Sequence, residues 1–110
     1  MGIPQPLLDD MLRSTFVGVH SLGLIAAGGQ EIDHREPVTM AAEGTPAVVA
    51  NTDEVRFRPV AAPVVVSGWF IVTQAGVELV RKDLPEAKRF GIGDRPYFEP
   101  GALRVEIRED

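Results

Sequence analysis

The sequence predicts an all-β domain: an antiparallel β-sandwich or small barrel of about seven to eight strands, preceded by a short N-terminal helix. Short runs of β-branched and aromatic residues recur along the 110 residues, turns rich in Gly and Pro separate them, and helical periodicity is confined to the start. A chain of this length is expected to build a single hydrophobic core. Residues 1–14 therefore read as an N-terminal arm carrying the short helix, and 15–110 as a single β-sandwich domain.

Pro6 suits the first helical position, with Leu7, Leu8, Met11 and Leu12 on one side and Asp9, Asp10 and Arg13 on the other. So short a helix is marginal alone, so its apolar side is expected to pack on this domain or on another subunit. From Thr15 the period changes. Phe16 to Ser21 is β-prone and reads as a strand, with Val17 and Val19 facing inward together. Gly23 and the Gly28-Gly29 pair bound Leu24-Ile25-Ala26-Ala27, which reads as a loop with room for one brief ordered segment. Ile32 to Met40 looks extended, with Val38 and Met40 on one face and Pro37 marking an edge or a bulge. Glu43-Gly44-Thr45-Pro46 is turn chemistry.

Val55-Arg56-Phe57-Arg58 alternates strictly, which predicts a strand with apolar and basic side chains on opposite faces. Val64 to Thr73 is apolar on both faces and reads as a central strand covered on each side, or on one side by a neighbouring chain. Gly76 marks the turn into Val77 to Arg81, the expected hairpin partner. Leu84 to Phe90 is consistent with an edge strand or with a short helix after Pro85. Turns at Gly91-Ile92-Gly93-Asp94 and Glu99-Pro100-Gly101 enclose Tyr97-Phe98, and Leu103, Val105 and Ile107 alternate with Arg104, Glu106 and Arg108 in a closing strand.

Composition narrows the function. With 45% hydrophobic and 25% charged residues the chain is too apolar for wholesale disorder. There are no cysteines, which excludes disulfides, thiolate zinc sites and cysteine nucleophiles. Eleven Lys and Arg against sixteen Asp and Glu leave a net charge of −5, which disfavours a nucleic-acid partner. No apolar run reaches the roughly 18 residues of a membrane span, so no membrane association is expected. The start of the chain lacks a basic n-region, and Asp9 and Asp10 interrupt any apolar h-region, so synthesis in the cytoplasm without export is expected.

The residue types that carry chemistry are thinly spread. Ser14, Ser21 and Ser67 could pair with His20 or His34 for hydrolysis, but none lies in a nucleophile-elbow context. Two histidines make no zinc spacing. Glu31, Asp33, Asp53 and Glu54 are loop acids of the kind that bind calcium, without EF-hand spacing. The Gly91-Ile92-Gly93-Asp94 turn lacks the third glycine and following helix of a phosphate loop. Arg56 and Arg58 form a basic row that meets either cross-strand acids or phosphates and sugars. Trp69 is expected in the core, and a stacking platform for carbohydrate is the other reading. No catalytic, cofactor-binding or metal-ligating residue is assigned, and no enzyme is expected. What stands out is a surplus of apolar side chains. Leu7, Leu8, Met11, Leu12, Trp69 and Phe70 are the candidate assembly-interface residues, and a homo-oligomer is expected.

Several short motifs, taken in order, resemble a family of small tailed-bacteriophage structural proteins, the tail-fibre or minor tail proteins. Phe16-Val17-Gly18-Val19-His20-Ser21 resembles the family's opening aromatic-Val-Ala-Leu-His-Thr strand, and Glu31-Ile32, Arg35 and Pro37-Val38 resemble the segment that follows. Asn51-Thr52 with Val55 and Phe57 is similar to its Asn-Thr-x-x-Val-x-Phe run. Gly93-Asp94 and Phe98 to Val105 resemble its Gly-Asp turn and Phe-x-x-Gly-x-Leu-x-Val closing strand. The sequence departs from the pattern after Ser21, around Trp69 and at Lys88-Arg89. The resemblance implies a non-enzymatic virion component in multiple copies, made in the host cytoplasm, with no catalytic residues to carry over. Its partners would be other virion proteins, tail or major capsid protein, and further copies of itself. Capsid decoration is the near alternative. A lectin-like module holding host-surface glycan on Trp69, Tyr97 and loop acids is the alternative from another class.

Overall fold

A computed structural model describes residues 3–32, 34–44 and 47–106. Its elements are α1 (Gln5–Phe16), β1 (Gly18–Ala26), β2 (Glu36–Glu43), β3 (Val48–Asn51), β4 (Val55–Arg56), β5 (Val64–Val72), β6 (Glu78–Phe90), β7 (Tyr97–Phe98) and β8 (Arg104–Val105). Six strands form one curled antiparallel sheet in the order β6-β5-β1-β2-β3-β8, and β4 and β7 pair as a second, two-stranded sheet. This is the expected all-β antiparallel architecture with a short N-terminal helix.

The helix runs further than its apolar pattern suggests. Pro4, extended at φ −57° and ψ 143°, caps it, and Pro6 lies in the first turn, where a missing N–H is harmless. Leu8, Leu12 and Phe16, spaced four apart, enter the core, and Val17 ends the helix in an extended conformation. Thr15 and Phe16 are thus the last helical turn rather than the start of a strand. The helix packs over β2 and β3, and it contributes to the same core as the strands.

Beyond Gly18, at φ +124°, β1 continues to Ala26, through the segment expected to be a loop. The reason is Gly23. It pairs with Phe70 on β5, and a Cβ at this position would run into the Phe70 ring. Gly23 marks a close approach inside the sheet rather than an end to the strand. Facing also differs from expectation: Leu22 and Leu24 enter the main core, whereas Val17 and Val19 are 45% and 50% exposed. Val17 caps the helix and Gly18 breaks the alternation, so the valines cannot set the inward face.

β2 pairs with both β1 and β3, so it is an interior strand, and Pro37 sits near its start opposite Ser21. Val38 and Met40 are buried as expected. Glu43 ends this strand at Gly44, while Thr45 and Pro46 lie outside the described residues. Along β4 and the two residues after it Val55 and Phe57 are buried and Arg56 and Arg58 exposed, as the alternation predicts, although the strand itself ends at Arg56. β5 is covered on both faces: Val66, Trp69 and Ile71 join the main core, while Phe70 and Val72 pack with Ile25 on the opposite face. A turn containing Gly76, at φ +90°, leads into β6.

Leu84 to Phe90 is strand, not helix. The pairs Val66–Lys88 and Gly68–Asp83 leave Leu84-Pro85-Glu86-Ala87 bulging out of an edge strand opposite Ser67 alone. Leu103 and Val105 are buried in the closing strand, and Ile107 lies outside the described residues.

Candidate contact surfaces

The six sequence-selected residues divide sharply. Leu8 and Leu12 are 7% and 0% exposed, and Trp69 and Phe70 are 5% and 3%. All four are used in packing within the chain. Leu7 and Met11 alone reach the surface, at 52% and 45%, four residues apart on α1. The sequence pattern put Leu7, Leu8, Met11 and Leu12 on one side, but the buried face is centred on Leu8, Leu12 and Phe16, leaving Leu7 and Met11 on its margin.

The outer face of the six-stranded sheet has two unlike halves. On β5, Phe70 lies across Gly23, and the guanidinium groups of Arg35 and Arg81 stand 5.3 and 5.2 Å from its ring centroid. Arg35 is held by Glu31 at 2.6 Å and Arg81 by Glu78 at 2.7 Å. The Arg35 hydrogen bond is the main reason the Glu31 carboxyl lies below its usual pKa, with the Arg81 charge adding to it. Over β1, β2 and β3 the described residues provide no such cover. Val19 pairs with Thr39, Ser21 with Pro37, and Ala41 with Ala50. None of these side chains is charged. This half was missed in the sequence because its members are small and scattered, and only strand pairing gathers them.

Other candidates resolve into structural roles. His20 Nε2 is 2.9 Å from the carbonyl of Phe16 at the end of α1, and His34 Nε2 is 2.6 Å from Glu36. Ser14 and Ser67 donate to backbone carbonyls. Glu54 pairs with Arg56, whose guanidinium also covers the Tyr97 ring at 5.5 Å, and Asp53 accepts from Thr52. Asp33 lies outside the described residues. Among the described residues no three His, Asp or Glu side chains converge as metal ligands, and no helix is long and apolar enough to cross a membrane. With Trp69 in the core, no tryptophan face is offered for sugar stacking.

Two of the clefts among the described residues flank the curled sheet. One is apolar, walled by Ile32, Phe57, Val60, Val64 and Pro96, with His34 at its margin. The other lies in the seam between the β6 bulge and β8, over Trp69, Leu84 and Phe98, where Lys82 Nζ donates to the Arg104 carbonyl at 3.0 Å.

Among the described residues the most buried carboxylate belongs to Asp9, 3% exposed. It accepts from the Ala47 N–H at 3.0 Å and from Gln5 Nε2 at 2.9 Å, and these bonds, the first foremost, hold its pKa below the usual carboxylate value. Its role is to tie α1 to the chain entering β3.

No family model matches the chain, and neither a curated protein nor a solved structure matches it.

Proposed function

We propose that this chain is a non-enzymatic structural protein of a tailed-phage virion, a minor tail or tail-fibre-like module present in multiple copies on the particle. The observation that carries the reading is the ordered series of motifs and where its residues lie. Asn51, Phe57, Asp94, Leu103 and Val105 all occupy positions that fix the fold. Asn51 bridges to Leu103, Asp53 and Glu99, and Asp94 closes its turn by accepting from Gly91 N–H at 2.7 Å. A rigid block with exposed Leu7 and Met11 on its helix suits attachment to other virion proteins. Repetition around a symmetry axis multiplies weak single contacts into firm attachment.

Capsid decoration is a second reading, favoured by a compact domain without coiled-coil or collagen-like repeats. Quantitative mass spectrometry of purified virions of the encoding phage tests both. A few to dozens of copies per particle support the tail and hundreds support the capsid. Absence of the protein from the virions overturns the reading altogether.

A further inference from the structure

We infer that the uncovered half of the sheet's outer face is a docking surface for a second copy of this chain. The face is built by Val19, Pro37, Thr39, Ala41, Val48 and Ala50, all outward on β1, β2 and β3. Its side chains are short, so another sheet can approach closely, and none carries charge. The contrast with the other half is informative. There the chain covers its own outward-facing ring, Phe70, with two arginines; here none of the described residues does so.

The charge pattern selects the occupant. A chain with net charge −5 repels its own copies in general, and a neutral face is where two copies can meet. The rim is self-complementary as well. Glu43 lies on the same face two residues beyond Ala41 along β2, and Arg104 lies two strands across, through the pairs Ala41–Ala50 and Ala50–Arg104. These displacements are about 7 Å along the strand and about 10 Å across it. A two-fold axis lying in the face, on the diagonal through Ala41, exchanges the two directions. It sets the sheets near a right angle, an established mode of sheet packing, and brings each Glu43 opposite Arg104 of the other copy. Among the described residues neither Glu43 nor Arg104 has an ion-pair partner within the chain.

The inference does not depend on the virion reading, since a protein absent from virions would still dimerise through this face. Sedimentation velocity on the full chain over about 10–500 µM tests it, the range following from a patch smaller than the roughly 20–30 residues per side of a standard interface. A monomer–dimer equilibrium in that range is expected. Ala41→Glu places two carboxylates together at the axis and should abolish dimerisation while circular dichroism stays unchanged. Glu43→Arg or Arg104→Glu alone should weaken association about 3- to 10-fold, and the two together should restore it. Should Ala41→Glu misfold, the charge exchange decides. A chain that stays monomeric, a folded Ala41→Glu protein that still dimerises, or a double exchange that fails to restore association overturns the inference.

Discussion

Asn51 is buried at 3% exposure, and all its side-chain hydrogen-bonding groups are used: Oδ1 accepts from Leu103 N–H at 2.9 Å, and Nδ2 donates to the carbonyls of Asp53 and Glu99. Asn51→Ala leaves those groups unpaired and should cost about 2–3 kcal/mol in urea unfolding. Asn51→Asp should cost more at neutral pH, because a carboxylate replaces a donor beside two carbonyl oxygens. Asp9 gives the fold a pH dependence. Its folded pKa is lowered by the Ala47 N–H and then by Gln5, so its stabilisation is present above the ordinary carboxylate value, about 4, and is lost as pH falls through the lower folded value. The urea midpoint should therefore drop with acidification below about pH 4, and less steeply in Asp9→Asn. Sequence alone marks Asn51 within a motif but does not reveal these bonds, since Leu103 is 52 residues away. Gly23 misleads for a similar reason: a glycine needed for close approach reads like one needed for a turn.

At the scale of elements, β6 is the long free edge of the sheet, and three of its features discourage pairing with other strands. Charged residues crowd it, Pro85 sits in its bulge, and the exposed Lys82, partnered with Trp69 in register, reaches across the seam to the Arg104 carbonyl. Replacing Lys82 and Pro85 together by valine should raise light scattering on gentle heating far more than it changes the unfolding midpoint. Gly68→Ala should cost about 1–3 kcal/mol, since its Cβ would stand 2.6 Å from the Lys82 carbonyl. Element type was legible where the period was clean, at Val55–Arg56, Val64–Val72 and Arg104–Val105, although the first and last strands are shorter than the alternation suggests. It was not legible at Thr15–Phe16, where helical spacing of Leu8, Leu12 and Phe16 outweighs β propensity, nor at Leu24–Ala26, where strand pairing outweighs the flanking glycines.

For the whole molecule, the class of fold could be read because strand and turn signals are local. The surfaces could not, because a face is defined by pairings such as β1 with β5 and β3 with β8, which join distant parts of the chain. That is why Phe70, chosen as a contact residue, is interior, whereas Trp69 lies in the core as its apolar surroundings predict, and why Val19, expected inside, is outside. β1 and β5 each have a strand on both sides, whereas β8 is a short edge strand. Native-state hydrogen exchange should accordingly find the slowest amides in Leu22 to Ile25 and Trp69 to Ile71, and much faster ones at Arg104 and Val105.

The tie between Lys82 and the Arg104 carbonyl clasps the two edges of the curled sheet, whose other neighbours are riveted strand to strand. A larger side chain introduced beneath it, at Leu84 or Phe98, can push the clasp ajar without parting a single rung of the ladder, whereas equal crowding at Leu22 has no such outlet. Tolerance of bulk in this curled sheet is thus directional, greatest along the seam between β6 and β8 and least among its middle strands.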